Sequence, residues 1–160
     1  HRRTYVGALP GRIIQGMKSL SLRWKHVSSS ATQIAEWLVS YPKIGRVLYP
    51  TLSSHPRSDV AIRQFKDGCG SVVSFELKST DKLVISAFVD EIIADGILVF
   101  GESLASPETI LAYPSIMSHR SITPQRRQEL GISDGFFRLS LGFDDPIIVI
   151  KSLEKALLKL

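Results

Sequence analysis

Ile13, Met17, Leu20, Trp24, Val27, Ala31, Ile34 and Leu38 recur at alternating intervals of four and three. That spacing keeps all of them on one side of an α-helix, so it predicts a single long amphipathic helix that Pro42 brings to a stop. Lys18, Arg23, Lys25, Gln33 and Glu36 occupy its other faces, and Gly16 weakens its first turns. A seam of about four heptads serves either a coiled coil or packing on a sheet. The segments that follow read as strands, which favours the sheet. On that reading Leu20→Ala is a core truncation expected to cost roughly 2–5 kcal/mol.

Beyond the helix, Arg46 to Tyr49 reads as a strand ended by Pro50, and Ser54-His55-Pro56 as the start of a helix that continues from Asp59 to Phe65. A Gly68-Cys69-Gly70 turn leads into a β-rich run from Ser71 to Leu77. Thr80 or Asp81 caps a helix running through Ile93 and ended by Asp95-Gly96, and Ile97 to Phe100 is a further strand. The pattern is irregular after Pro107. Thr123-Pro124 then opens a short helix ending at Gly131, Phe136 to Leu141 is a strand closed by Gly142, and Asp144-Asp145-Pro146 opens a last helix. That helix carries Lys151, Lys155 and Lys159 toward its C-terminal end, where cations suit the dipole. Strands interleaved with helices predict an α/β or α+β sandwich: a small, mainly antiparallel sheet covered by helices on one face and preceded by the long helix. At 160 residues one domain accommodates this.

Several classes are excluded or disfavoured. The longest apolar runs, Gly96 to Phe100 and Pro146 to Ile150, fall far short of the roughly 20 residues that span a bilayer, so no membrane association is expected. The single cysteine, Cys69, forms no internal disulfide and calls for no oxidising compartment; a cytoplasmic location is the expectation. His1-Arg2-Arg3 is followed by no secretion-signal core, and the chain reads as part of something longer. The net charge of +5 is spread over several elements and interrupted by acids, which disfavours nucleic acid as a partner. His1, His26, His55 and His119 are too scattered for metal-ligand spacing. Cys69 paired with a histidine would be a nucleophile, but a lone cysteine is more often a small buried hydrophobe.

Two places invite chemistry. Glu102-Ser103 and Arg138 stand at or near strand ends, where side chains are aimed into a shared cleft. Arg138 sits among Phe136, Phe137, Leu139 and Leu141. Its guanidinium cannot lose its charge, so it either reaches solvent from an edge strand or meets a carboxylate or phosphate as a two-pronged donor.

Taken together, several stretches resemble the pyridoxal-phosphate enzymes of cysteine and methionine metabolism, which include cystathionine γ-synthase, γ-lyase and β-lyase. The stretches are Gly16 to Arg23 with Ala31 and Ile34 to Leu38; His55-Pro56 with Gly70 and Val73 to Leu77; Glu102-Ser103-Leu104 with Glu108, followed by Met117-Ser118-His119; and Leu130 to Gly135 with Arg138 to Gly142 and Asp144-Asp145. The resemblance implies the C-terminal domain of a fold-type I enzyme, with residues 1–10 as a linker from an N-terminal domain and 11–160 as one substrate-binding domain. It implies that Arg138 grips the α-carboxylate of a sulfur amino acid, that Ser103 and Leu104 line the pocket beside the cofactor, and that Glu102 faces the distal end of a substrate such as cystathionine. Pyridoxal phosphate then belongs to the full-length parent, a homo-oligomer. This chain binds none covalently, because the anchoring lysine belongs to the N-terminal domain and Lys18 matches a helix lysine instead. Ala105-Ser106 stands where the family has a glycine pair, which puts that loop's backbone in question. Gln15 stands where arginine is common, and the segment between Gly7 and Gly16 is shorter than usual. The rival expectation is a non-catalytic interaction or regulatory module that keeps the fold.

Overall fold

A computed structural model describes residues 3–117 and 123–160. Ser118 and His119 of the resemblance lie outside them, as does His1. The elements in chain order are α1 (Arg3–Lys18), α2 (Leu20–Ser40), β1 (Ile44–Leu48), α3 (Ser58–Gln64), β2 (Val72–Leu77), α4 (Lys82–Asp95), β3 (Val99–Phe100), β4 (Ile110–Ala112), α5 (Pro124–Glu129), β5 (Phe136–Ser140) and α6 (Pro146–Leu157). The strands form one five-stranded sheet in the order β1-β2-β5-β4-β3, antiparallel throughout except for β3 against β4. This is the α/β sandwich with a mainly antiparallel sheet that the pattern predicts.

Alternation along the strands decides which side chains enter the core. Val47, Phe75 and Phe137 are register partners across β1, β2 and β5, and all are buried. Phe137 stacks between Phe75 (5.6 Å) and Tyr113 (4.7 Å), while Phe88 of α4 meets it edge-on at 5.1 Å. Val73, Leu77, Leu111 and Leu139 extend this face, and Ala31, Ile34 and Leu38 of α2, Ile85 and Ile92 of α4, and Val149 and Leu153 of α6 close over it. Caps mark the starts of α4 and α6 and the end of α4. Asp81 accepts from the Leu83 amide at 2.8 Å, Asp145 accepts from the Ile147 amide at 2.8 Å with Pro146 next to it, and Gly96 ends α4 in the left-handed conformation (φ 70°). Lys155 of α6 bridges to Glu91 (2.9 Å) and Asp95 (3.0 Å) of α4.

The single long helix is not observed. Ser19 interrupts it with φ −97° and ψ 0°, dividing α1 from α2. The reason is local competition for backbone carbonyls: the Ser19 hydroxyl donates to the Gly16 carbonyl (3.2 Å), and Arg23 donates to the same carbonyl (2.7 Å) and to Ser19 Oγ (3.2 Å). Nor does the whole seam pack on the sheet. Ile13 and Met17 are exposed because α1 contacts α2 alone and reaches no strand; Leu20 and Trp24, in the first turns of α2, are exposed as well, and the stretch buried against the sheet begins only near Ala31. The expectation of a core truncation at Leu20 is therefore wrong. Residues 51–57 form successive turns, with the His55 amide bonded to the Leu52 carbonyl and the Ser58 amide to that of His55, so α3 starts later than Pro56 suggests. The run Ile97 to Phe100 yields only the two-residue β3, and β4 occupies part of the stretch that reads as irregular.

Leu20 is 53% exposed and Leu38 is fully buried. Chemical denaturation should therefore show Leu38→Ala losing roughly 2–5 kcal/mol of stability and Leu20→Ala losing less than about 0.5 kcal/mol.

Candidate functional site

Phe137 and Leu139 are buried on the helix-covered face, so the pleat turns the residue between them to the opposite face. That residue is Arg138, at the middle of a cross-strand row made by Leu48, Ser74, Arg138 and Ala112. The guanidinium is only partly covered, but its Nε is buried and has no hydrogen-bond partner among the described residues. Among the described residues Arg138 forms no ion pair, and the nearby Glu76 is already engaged with Arg46 at 3.1 Å. A charged donor that is covered and unpaired is costly unless an acceptor arrives from outside. The edge of a guanidinium that carries Nε matches the two oxygens of a carboxylate. The two sequence readings of Arg138 are thus reconciled in position: it occupies the face left open by the helices, on a central strand and not an edge strand.

The remaining site residues follow β3. The Gly101 amide donates to the Leu111 carbonyl (3.1 Å), which sets Gly101 level with Ala112 and hence with Arg138. Two strand spacings of about 4.8 Å separate them, about 10 Å in all. Glu102, Ser103 and Leu104 leave the sheet from that point and are exposed. The sheet therefore sets Gly101 level with Arg138, and Glu102, Ser103 and Leu104 follow on a loop that leaves the sheet there, with no hydrogen bond or ion pair to Arg138 among the described residues.

That loop, residues 101–109, is anchored along its return. The Phe143 amide donates to the Pro107 carbonyl (2.7 Å), the Gly142 amide to Thr109 Oγ1 (3.1 Å), and the Thr109 amide to Asp144 Oδ2 (2.7 Å). A short hydrogen bond links the Ser106 hydroxyl to Glu108 and is the chief reason the Glu108 carboxyl lies below its usual range. Ala105 adopts φ 57°, the only non-glycine residue with positive φ among the described residues. This is a conformation that favours glycine, and an alanine adopts it only with some strain. Ala105 and Ser106 also line a pocket of about 220 Å³ against Leu20, Trp24 and Val27 of α2 and Phe143.

Cys69 is half-buried, and burial pushes its thiol upward, the opposite of what an activated nucleophile needs. Among the described residues no group of three or more histidines, cysteines or acids is placed to hold a metal, and no helix is long and apolar enough to cross a membrane. Sequence reading passed over β4 and the bonds of Thr109 to Gly142 and Asp144. The β-branched and aliphatic run Thr109-Ile110-Leu111 was the available signal for the strand.

A profile for the family described as "Cys/Met metabolism PLP-dependent enzyme" matches residues 11–158. The cystathionine β-lyase of Coxiella burnetii is 36% identical over 148 residues, covering 91% of this chain and 36% of that protein. The cystathionine γ-lyase of Dictyostelium discoideum is 34% identical over 157 residues, covering 95% of this chain and 39% of that one. Among solved structures, cystathionine γ-synthase from Xanthomonas oryzae pv. oryzae in complex with cystathionine superposes with a TM-score of 0.81 at 33% identity, over 91% of this chain and 36% of that chain. The chain belongs to this family of pyridoxal-phosphate-dependent enzymes and spans little more than a third of the length of these relatives.

The close passage of the loop over the following turn is open to direct test. A Cβ added at Gly142 would lie 2.1 Å from the Pro107 carbonyl oxygen, a backbone atom that cannot swing away. Gly142→Ala should cost at least about 2 kcal/mol in urea denaturation.

Proposed function

We propose that this member of the Cys/Met-metabolism family is the C-terminal, substrate-orienting domain of an enzyme acting on cystathionine or a related sulfur amino acid by β- or γ-elimination or replacement, and that it does not catalyse alone. Residues 11–160 make up that domain, and residues 1–10, which enter α1, lead to it from an N-terminal cofactor domain. The observation that carries the reading is the covered, unpartnered Nε of Arg138 on the face of the sheet left open by the helices. It is supported by the 33% identity and TM-score of 0.81 to a structure that contains cystathionine.

Pyridoxal phosphate, when bound in the whole enzyme, supplies the electron sink for bond cleavage next to the amino-acid carbon. The residues of this chain fit the substrate side of that chemistry. Arg138 takes both oxygens of the α-carboxylate on two parallel N–H donors and so fixes the rotation of the amino acid. Ser103 and Leu104 stand beside the cofactor, where Leu104 excludes water. Glu102 faces the distal end of the substrate, where cystathionine carries a second ammonium group. The enzyme is cytoplasmic and a homo-oligomer. Its substrate is a sulfur amino acid, and its immediate partner is its own N-terminal domain.

Lysine keeps the charge but offers no second prong. In the whole enzyme, Arg138→Lys and Arg138→Ala should each lower kcat/KM at least about tenfold, equivalent to about 1.4 kcal/mol, with the cofactor absorbance unchanged. Wild-type kinetics in Arg138→Ala, with the fold verified by circular dichroism, would overturn the assignment.

A further inference from the structure

We propose that Thr109 and Asp144 are positioning residues: they latch the loop 101–109 to the turn after β5 and so set where Glu102, Ser103 and Leu104 stand relative to Arg138. The functional meaning of that position rests on the reading of Arg138 above.

Thr109 is fully buried. Its carbonyl accepts from the Val99 amide (2.9 Å), its amide donates to the Asp144 carboxylate (2.7 Å), and its hydroxyl accepts from the Gly142 amide (3.1 Å). One residue thereby joins β3, the start of β4 and the turn leaving β5, the strand that carries Arg138. The bond to Asp144 is charge-assisted and hence among the stronger kinds. Among the described residues the Asp144 carboxylate has no other hydrogen bond, and the capping of α6 is done by its neighbour Asp145. The Pro107 carbonyl, accepting from Phe143 at 2.7 Å, completes the seam over Gly142.

A second observation shows what the latch holds. The loop is fixed at Gly101 on one side and at Pro107 to Thr109 on the other, and between them Ala105 sits at φ 57°. A non-glycine residue stays in that region only where its surroundings over-determine it. Among the described residues Ala105 makes no hydrogen bond of its own, so the restraint comes from the two anchored ends. The latch therefore takes over from the missing glycine pair as the feature that sets the loop's course.

The test uses this chain in solution by NMR, with no substrate present. Thr109→Val removes the hydroxyl at nearly constant volume, Asp144→Ala removes the carboxylate, and Thr109→Ser restores the hydroxyl. In Thr109→Val the Gly142 amide should exchange at least about tenfold faster. In both Thr109→Val and Asp144→Ala, the HN–Hα coupling and carbon shifts of Ala105 should leave the left-handed range and the amides of Ser103 and Leu104 should move. Thr109→Ser should return all of these signals toward wild type, and Ala105→Gly should leave Ser103 and Leu104 in place. The proposal is overturned if Ala105, Ser103 and Leu104 keep their signals in both latch variants. It is equally overturned if the variants unfold or speed exchange as much at Phe88 and Phe137, since the bonds would then serve the whole core. Because no substrate enters the measurement, wild-type kinetics in the Arg138→Ala enzyme would remove the functional reading and leave this result standing.

Discussion

The pleat of β5 is the constraint on which the site depends. Phe137 and Leu139 lie under the helices in a stack that also holds Phe75, Phe88 and Tyr113, and each is worth roughly 1.5–3 kcal/mol of apolar burial. A slip of one residue in the pairing of β5 with β2 would expose both and drive a guanidinium into the core, a change far larger than the net stability of a small domain tolerates. The packing that stabilises the fold therefore also aims Arg138 at the open face. The same register places Gly101 at the level of Arg138, so the loop bearing Glu102, Ser103 and Leu104 starts at a fixed distance from it.

Rigidity and exposure are divided between the two faces. The helix-covered face is close-packed, and α4 and α6 on it start at the capping aspartates Asp81 and Asp145. The open face carries Leu48, Val72, Ser74 and Arg138, partly or largely exposed. At the N-terminal end, Ile13, Met17, Leu20 and Trp24 continue the apolar seam without reaching the sheet. The break at Ser19 falls within this exposed portion, and the part of α2 that closes the core begins near Ser28. A domain built this way holds a charged donor precisely without burying it irretrievably, which is what gripping a carboxylate requires.

Much of this was legible in the residues. The cap at Thr80 or Asp81, the stop at Asp95-Gly96, the Asp144-Asp145-Pro146 opening and the β-rich run from Ser71 to Leu77 gave α4, α6 and β2 close to their observed limits, because each signal is local. The anomaly of Arg138 among apolar neighbours was visible for the same reason. The break at Ser19 was hidden because the 4-3-4-3 spacing runs through it without interruption. What decides there is a competition among Ser19, Arg23 and the Gly16 carbonyl, which no periodicity records. β4 was missed because three residues are too few to alternate, and they become a strand only by pairing with β5 and β3. Thr109 and Asp144 were invisible as a pair because they meet across a separation of 35 residues. The question raised by Ala105 needed a dihedral angle for its answer.

The central claim is that Arg138 holds an unpaired guanidinium edge ready for a carboxylate. The most direct measurement follows the arginine Nε–H signals of this chain in nitrogen-edited NMR during titration with cystathionine. The Arg138 signal should move saturably and downfield, with the amides of Ser74 and Ala112 on either side of it, while that of Arg46, already paired with Glu76, stays in place. An Arg138 signal that does not move, or that moves no more than those of the exposed arginines, would contradict it.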